Sequence, residues 1–348
     1  MRVVFHIGAG KTGTSAIQVA LAQNRHVLAA AGVHFPEMPD GVDDRAARGA
    51  ISSGNARALA WLCNPKLPGR GFTREGVLRW VEQCIAGAQG RHLLFSSEAM
   101  QSCQPDETRE MLHLFQQAGY TPEVVFYVRH ALDHAIAEYL QHVKMGFATL
   151  ASRDSVDSLD SFLLQHRCRF LRSLNAFSAT LPKDAIHVRL YDAERTSLVP
   201  GFLSILGLAL PLVGAASGPV VNRSPTPDEL PLLEALARQH DGTRLCRALS
   251  DLMLNAPAAS DKPFTIAPDV FERFSRHNQS VVDEINSNWL GSLDKLLIMS
   301  PRLRIGTPEP IPLDQASRHF AGITALVLRE LLRRSGRDGT FTRANKLR

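Results

Sequence analysis

The reading of this chain turns on Met1–Gln18, MRVVFHIGAGKTGTSAIQ. Val3, Val4, Phe5 and Ile7 form a short apolar, β-branched run, the pattern of a strand buried in a parallel sheet. Gly8 to Ser15 is a loop of Gly, Lys, Thr and Ser, and a helical pattern starts inside it. Strand, glycine-rich loop and helix make a phosphate cradle. Main-chain N–H groups at the helix N-terminus point at the anion, and the helix dipole favours its charge. The glycine spacing then separates two chemistries. A nucleotide kinase or ATPase carries G-x-x-x-x-G-K-[ST]. Gly10-Lys11-Thr12 supplies the second half of that pattern, but its first glycine falls on Phe5. Read from Gly8, the second glycine is Gly13 and the lysine position holds Thr14. Neither register fits. The plain structural alternative is a glycine turn that caps a helix, with Thr14 or Ser15 as the cap.

The rest of the chain bounds the class. Its 348 residues are 45% hydrophobic, enough for a sizeable core. The net charge of +5 suits an anionic donor or an acidic acceptor and is too diffuse to imply nucleic acid. Cys63, Cys84, Cys103, Cys168 and Cys246 are scattered without a CxxC, which reads as reduced thiols and not as a disulfide framework or a zinc site. No apolar run approaches the ~18–20 residues of a membrane span, and no signal peptide is visible, so the cytoplasm is the expected location.

Strands are predicted near 3–7, 33–35, 92–95, 123–128 and 185–190. Helices are predicted near 14–31, 55–63, 74–88, 106–118, 133–144 and 161–180. The stretches 37–55 and 146–160 read as long surface loops, and 211–227 and 255–268 as breaks in a mostly helical remainder. This alternation implies a three-layer α/β fold with a central parallel sheet and helices on both faces. The expected domain runs over 1–334, with the core sheet in about 1–210 and a mostly helical part in about 211–334. A basic tail, 335–348, reads as flexible. Sheets of this kind bind ligands beyond the carboxyl ends of their strands. The loop at 8–15, Glu98, Arg129 and Tyr191 all stand at such ends.

The string H-I-G-x-x-K-T-G-T-S-x-I-Q, from His6 to Gln18, resembles the bacterial branch of the sulfotransferases that use 3′-phosphoadenosine 5′-phosphosulfate (PAPS). The resemblance is specific at 6–18, looser at 93–98, 124–144 and 187–224, and thin beyond about 290. It implies a P-loop-like fold and transfer of a sulfuryl group from PAPS, as co-substrate, to an acceptor hydroxyl. The branch implies a carbohydrate or polysaccharide precursor as acceptor. It also implies that Gly10, Lys11, Thr12, Gly13, Thr14 and Ser15 hold the 5′-phosphosulfate. Lys11 would stabilise the charge that builds on the leaving oxygen. No metal is expected, because sulfuryl transfer involves less charge than triphosphate transfer.

Four further places carry the resemblance. Arg129 ends the run VVFYV, where the family grips the donor's 3′-phosphate; a guanidinium suits it through two parallel hydrogen bonds. The serine the family carries eight residues later is Ala137 here, and Ser224, in Asn222-Arg223-Ser224, is a candidate substitute. Glu98, in S-S-E after a strand, is a candidate base for the acceptor hydroxyl, or a helix-start glutamate behind a Ser96 or Ser97 cap. His6 is the rival base, or a packing histidine. His130 and His134 read as helix-surface residues. Tyr191, in H-V-R-L-Y-D, is a candidate to pack against the adenine, or a core-edge tyrosine. A P-loop kinase and a catalytically inactive nucleotide- or glycan-binding relative are the alternative readings, the latter resting on Ala137. The loops at 37–55 and 146–160 are where acceptor recognition is expected.

Overall fold

The first strand, β1 (Arg2–His6), is the centre of a five-stranded, all-parallel sheet of order β2-β3-β1-β4-β5. Along the chain, β1 leads through α1 (Thr14–Gln23) and α2 (Arg25–Ala30) to β2 (Val33–His34). Then come α3 (Arg57–Leu62), α4 (Arg74–Ala88), β3 (His92–Ser96), a 3-10 turn (Glu98–Ser102), α5 (Pro105–Gln117), β4 (Thr121–Val128) and α6 (Ala131–Lys144). They are followed by α7 (Leu159–Gln165), α8 (Phe170–Ser178), β5 (Ile186–Leu190), α9 (Tyr191–Glu194), α10 (Leu198–Ile205), α11 (Leu230–Gln239) and α12 (Thr243–Leu254). The last elements are β6 (Thr265–Ile266), α13 (Pro268–Asn288) and β7 (Arg304–Ile305). The computed structural model describes residues 1–38, 46–49, 52–67, 71–146, 158–209, 223–239, 243–254, 260–291, 293–308, 321–322 and 324–325. Most of the loop at 146–160, the basic tail, Asn222, the Cys246 side chain and parts of the loop at 37–55 and of both later breaks lie outside the described residues.

Strand alternation gives the sheet two apolar faces. Val4, Leu94, Val125 and Tyr127 pack with Ile17 and Leu21 of α1 and with Leu198 and Phe202 of α10. The alternate residues face the other way. Phe5 stacks on Phe95 at 5.8 Å and meets Phe115 of α5 edge-on at 5.4 Å. Trp80 of α4 stands 5.8 Å from Phe95, and Phe170 of α8 stands 6.4 Å from Phe126. Each such buried ring contributes about 1.5–3 kcal/mol. The expected three-layer P-loop-like α/β architecture is thus present.

The described residues group into two compact units, one drawn from 1–135, 166–221 and 274–300, the other from 136–165, 222–273 and 301–348. The first contains the sheet. In the second, Tyr139 donates to Glu234 Oε1 at 2.5 Å, and Arg223 grips Glu229 with two bonds of 2.7 Å. Burial pushes the Glu229 carboxyl up, but the Arg223 guanidinium and the Thr226 N–H hold it below its ordinary value. Ser224 belongs to this unit, where its carbonyl accepts from Arg223 at 3.3 Å.

Two expected helices are interrupted. The helix predicted over 14–31 breaks at buried Asn24, whose Nδ2 donates to the Ala20 carbonyl at 2.7 Å and so competes with the helical ladder. The one predicted over 161–180 breaks between α7 and α8, where Asn278 takes over the freed main chain. Its Oδ1 accepts from Cys168 N at 2.8 Å and its Nδ2 donates to the His166 carbonyl at 3.4 Å. Cys63, Cys84, Cys103 and Cys168 are buried and unbridged, and burial pushes the Cys84 thiol up to about 12. No helix among the described residues is long and apolar enough to cross a membrane.

His6 is fully buried at the end of β1, its Nδ1 at 2.9 Å from Ser96 Oγ and its ring against Phe202 and Tyr127. Burial lowers its pKa to about 3 from the ordinary 6.5. The unfolded chain therefore takes up a proton below pH 6.5 that the folded chain refuses. The contribution is full above that value and is lost as pH falls toward about 3. The stability difference between wild type and His6→Gln, from denaturant unfolding, is expected to change by about 2 kcal/mol between pH 7 and pH 5, against the wild type. A pH-independent difference would contradict this assignment.

Candidate active site

The parallel register brings four chain segments to one edge. His6 at the end of β1 pairs with Ser96 of β3 and Val125 of β4, and Val128 of β4 pairs with Leu190 of β5. The loop at 8–13, Glu98, Arg129 and Tyr191 all follow directly from these strand ends.

The loop turns by means of two left-handed residues, Lys11 with φ 66° and Gly13 with φ 78°. Gly13 suits its place twice over. A side chain there would sit in a strained conformation, would strike Leu198 Cδ2, and would come within 2.9 Å of Tyr191 Cε2. Lys11 has no such excuse; a left-handed non-glycine residue costs about 1–3 kcal/mol and tends to mark functional sites. The Thr12 and Thr14 side chains are buried, and the Thr12 hydroxyl donates to the Ala9 carbonyl at 2.6 Å, closing the loop on itself. Lys11 and Ser15 are half-buried.

Gly13, not Thr14 or Ser15, is the helix cap. Its carbonyl accepts from Ala16 N at 2.9 Å and Ile17 N at 3.2 Å. No side chain caps α1 and no acidic residue stands in its first turn. A helix start of this kind presents main-chain donors to an anion.

Glu98 opens the 3-10 turn, which Ser97 caps by accepting from Ala99 N at 3.2 Å. A Cβ placed on Gly10 would stand 4.0 Å from Glu98 Oε2, so the carboxylate lies over the loop. Burial pushes the Glu98 carboxyl above its ordinary value, while the Lys11 ammonium and the Thr14 side chain draw it down. Of the two candidate bases, Glu98 is half-buried, next to Lys11, and held in a raised range. His6 is sealed beneath the loop, where a Cβ on Gly8 would stand 3.1 Å from its Nε2.

Arg129 leans back over the loop. Its Nη1 donates to the Lys11 carbonyl at 3.2 Å, and its guanidinium carbon stands 5.5 Å from the Tyr191 ring centre. Tyr191 is the first residue of α9, so its ring lies against both Arg129 and Gly13. Ala137 is buried in α6.

Three residues play parts that their sequence positions did not announce. His130 and His134, expected on a helix surface, are both buried. His130 Nδ1 accepts from Leu297 N at 3.1 Å, and the main-chain N–H of His130 donates to Asp192 Oδ2 at 2.9 Å. His134 packs on Phe170 at 5.0 Å beside the Gly10 main chain, and burial lowers its pKa to about 3. His130, Asp133, His134 and Glu138 recur at the spacing of a polar helix face, so the pattern reads as solvent-facing, whereas the fold covers most of it. Gln18 is also buried; its Nε2 donates to Ser96 Oγ at 3.3 Å, and its Oε1 accepts from Ser52 at 3.4 Å. Asn55 Oδ1 accepts from Ser96 N at 2.7 Å, and Ser97 donates to the Ser53 carbonyl at 2.7 Å. The described end of the loop at 37–55 is therefore fastened beside Glu98.

Solved structures align with the chain only distantly. No protein-family model and no curated protein matches the chain. A sulfotransferase from Alicyclobacillus acidocaldarius is 17% identical, over 68% of this chain and 92% of its own, with a TM-score of 0.38. A sulfotransferase domain from the curacin biosynthetic pathway is 10% identical, over 93% of this chain and 97% of its own, with a TM-score of 0.35. At that distance the reading of the site rests on the residues themselves. For the loop, Gly13→Ala is expected to destabilise the protein by at least about 1–3 kcal/mol in denaturant unfolding, since it adds both strain and collision. An unchanged midpoint would contradict the left-handed turn.

Proposed function

We propose that the chain is a PAPS-dependent sulfotransferase acting on an acceptor hydroxyl, on a carbohydrate or polysaccharide precursor. The observation that carries this reading is the left-handed lysine loop with Glu98 lying over Gly10, at a helix start without a side-chain cap, in a loop whose spacing departs from the kinase pattern. In the reaction the acceptor oxygen attacks sulfur in line. The new O–S bond forms as the bond from sulfur to the phosphate oxygen breaks. The acceptor proton passes to the Glu98 carboxylate. The electron pair stays on the phosphate of 3′-phosphoadenosine 5′-phosphate (PAP), where Lys11 and the first amides of α1 meet the charge. The departing charge is small enough for a lysine and amides to carry without a metal. Arg129 supplies a contact for the 3′-phosphate, and Tyr191 an aromatic surface near the base. An inactive relative is the second reading, favoured by Ala137, which removes a hydroxyl donor.

Transfer of ³⁵S from labelled PAPS to a panel of glycans and small alcohols tests this. Lys11→Ala is expected to lower kcat by about 10²–10³-fold. Glu98→Gln is expected to lower it by about 10²–10⁴-fold. In the wild type, kcat should rise with pH through an apparent pKa above the ordinary 4.5, because Glu98 accepts a proton only when ionised, and Glu98→Gln should lose that limb. Absence of transfer to every acceptor, together with absence of PAP binding, would overturn the proposal.

A further inference from the structure

We infer that Arg129 is a positioning residue for Lys11: its guanidinium, seated on Tyr191, holds the Lys11 carbonyl and with it the left-handed main chain that aims the lysine side chain. The inference rests on the proposed function only for what Lys11 does once aimed.

Lys11 is in a conformation that a side-chain-bearing residue leaves unless something holds it. The Lys11 carbonyl is the group that swings when the residue relaxes, and Arg129 Nη1 lies 3.2 Å from it. The holding group is itself fixed. Arg129 follows β4 directly, and β4 is paired on both sides, with β1 and with β5. One of those pairings ends in Ile7 N donating to the Val125 carbonyl at 3.1 Å, just before the loop begins. Arg129 and the loop are therefore anchored to the same two strands. Tyr191 completes the arrangement. Its ring lies 5.5 Å from the guanidinium carbon and against Gly13, the second left-handed residue. One aromatic surface thus backs both the clamp and the turn.

The clamp uses only part of the guanidinium. Nε is buried and has no hydrogen-bond partner among the described residues. An arginine has five donors in a rigid fork, so it can hold a carbonyl with one arm and meet an anion with another. An anion bound by the free donors would tighten the group that sets Lys11. Donor recognition and the aim of the lysine would then share one side chain.

Two measurements separate this from a purely anion-binding arginine. The first needs no substrate: amide hydrogen exchange over residues 8–15 in the unliganded wild type, Arg129→Gln, Arg129→Lys and Tyr191→Leu. Arg129→Gln should speed exchange in this loop about tenfold or more, Arg129→Lys and Tyr191→Leu less, while amides of β1 and β4 stay as in the wild type. Unchanged loop exchange in Arg129→Gln overturns the inference, whatever reaction the protein catalyses. The second is a double-mutant cycle on kcat at saturating PAPS. Arg129→Gln should lower kcat at least about tenfold, and should cost little more in a Lys11→Ala background. A rise in donor KM with kcat unchanged, or full additivity with Lys11→Ala, overturns it. Should the wild type neither transfer sulfate nor bind PAP, the proposed function fails, and the exchange measurement decides this inference alone.

Discussion

The turn between β1 and α1 is the constraint from which the site follows. A buried central strand has to hand over to a helix within seven residues, and the chain does so through left-handed Lys11 and Gly13. Gly13 meets the demand by lacking a side chain. Lys11 meets it under strain, next to a carbonyl clamp. The result is a helix that begins with open main-chain donors and a lysine at the edge of the sheet. Everything else in the site is fitted around that turn. Glu98 lies over Gly10, Tyr191 lies over Gly13, and Arg129 bonds to Lys11.

The environment sorts the titratable groups into roles. His6 and His134 are buried beneath or beside the loop and are held neutral, with pKa values lowered to about 3. They pack and pad. Burial raises Glu98 from its ordinary value, while the neighbouring Lys11 ammonium favours its charged form. A partly exposed carboxylate raised in this way is a better proton acceptor than an unshifted one, whereas a sealed imidazole is out of a substrate's reach. The motif around Arg129 divides similarly. Arg129 faces the loop, while His130 and Asp133 face inward, where Asp133 accepts from Ser300 N at 3.0 Å and from its hydroxyl at 2.6 Å. One short string thus carries a site residue and two struts.

Much of this was legible in the sequence because it is local. The apolar run Val3–Ile7, the glycines around Lys11 and the alternation of strands and helices each follow from short-range pattern, and they predict the sheet and the edge at which the candidate residues stand. The helix break at Asn24 is not legible, because the side chain competes with its own backbone only when a fold buries it. The depth of His134 is not legible, because His130, Asp133, His134 and Glu138 share one helix face with the spacing of a solvent-facing stripe. The pairing of Arg129 with the Lys11 carbonyl joins residues 118 positions apart, and no local pattern encodes it. The fastening of Ser52–Asn55 beside Glu98 is of the same kind: its partners, Gln18, Ser96 and Ser97, are dispersed along the chain.

On the proposed function, this turn cradles the 5′-phosphate of a nucleotide whose 3′-phosphate is also read. Titration calorimetry of the unliganded wild type with PAP, with 5′-AMP and with ATP·Mg²⁺ tests it most directly. PAP should bind at least about tenfold more tightly than either of the others, a difference of about 1.4 kcal/mol or more. Tighter binding of ATP·Mg²⁺, or equal binding of PAP and 5′-AMP, would contradict the account.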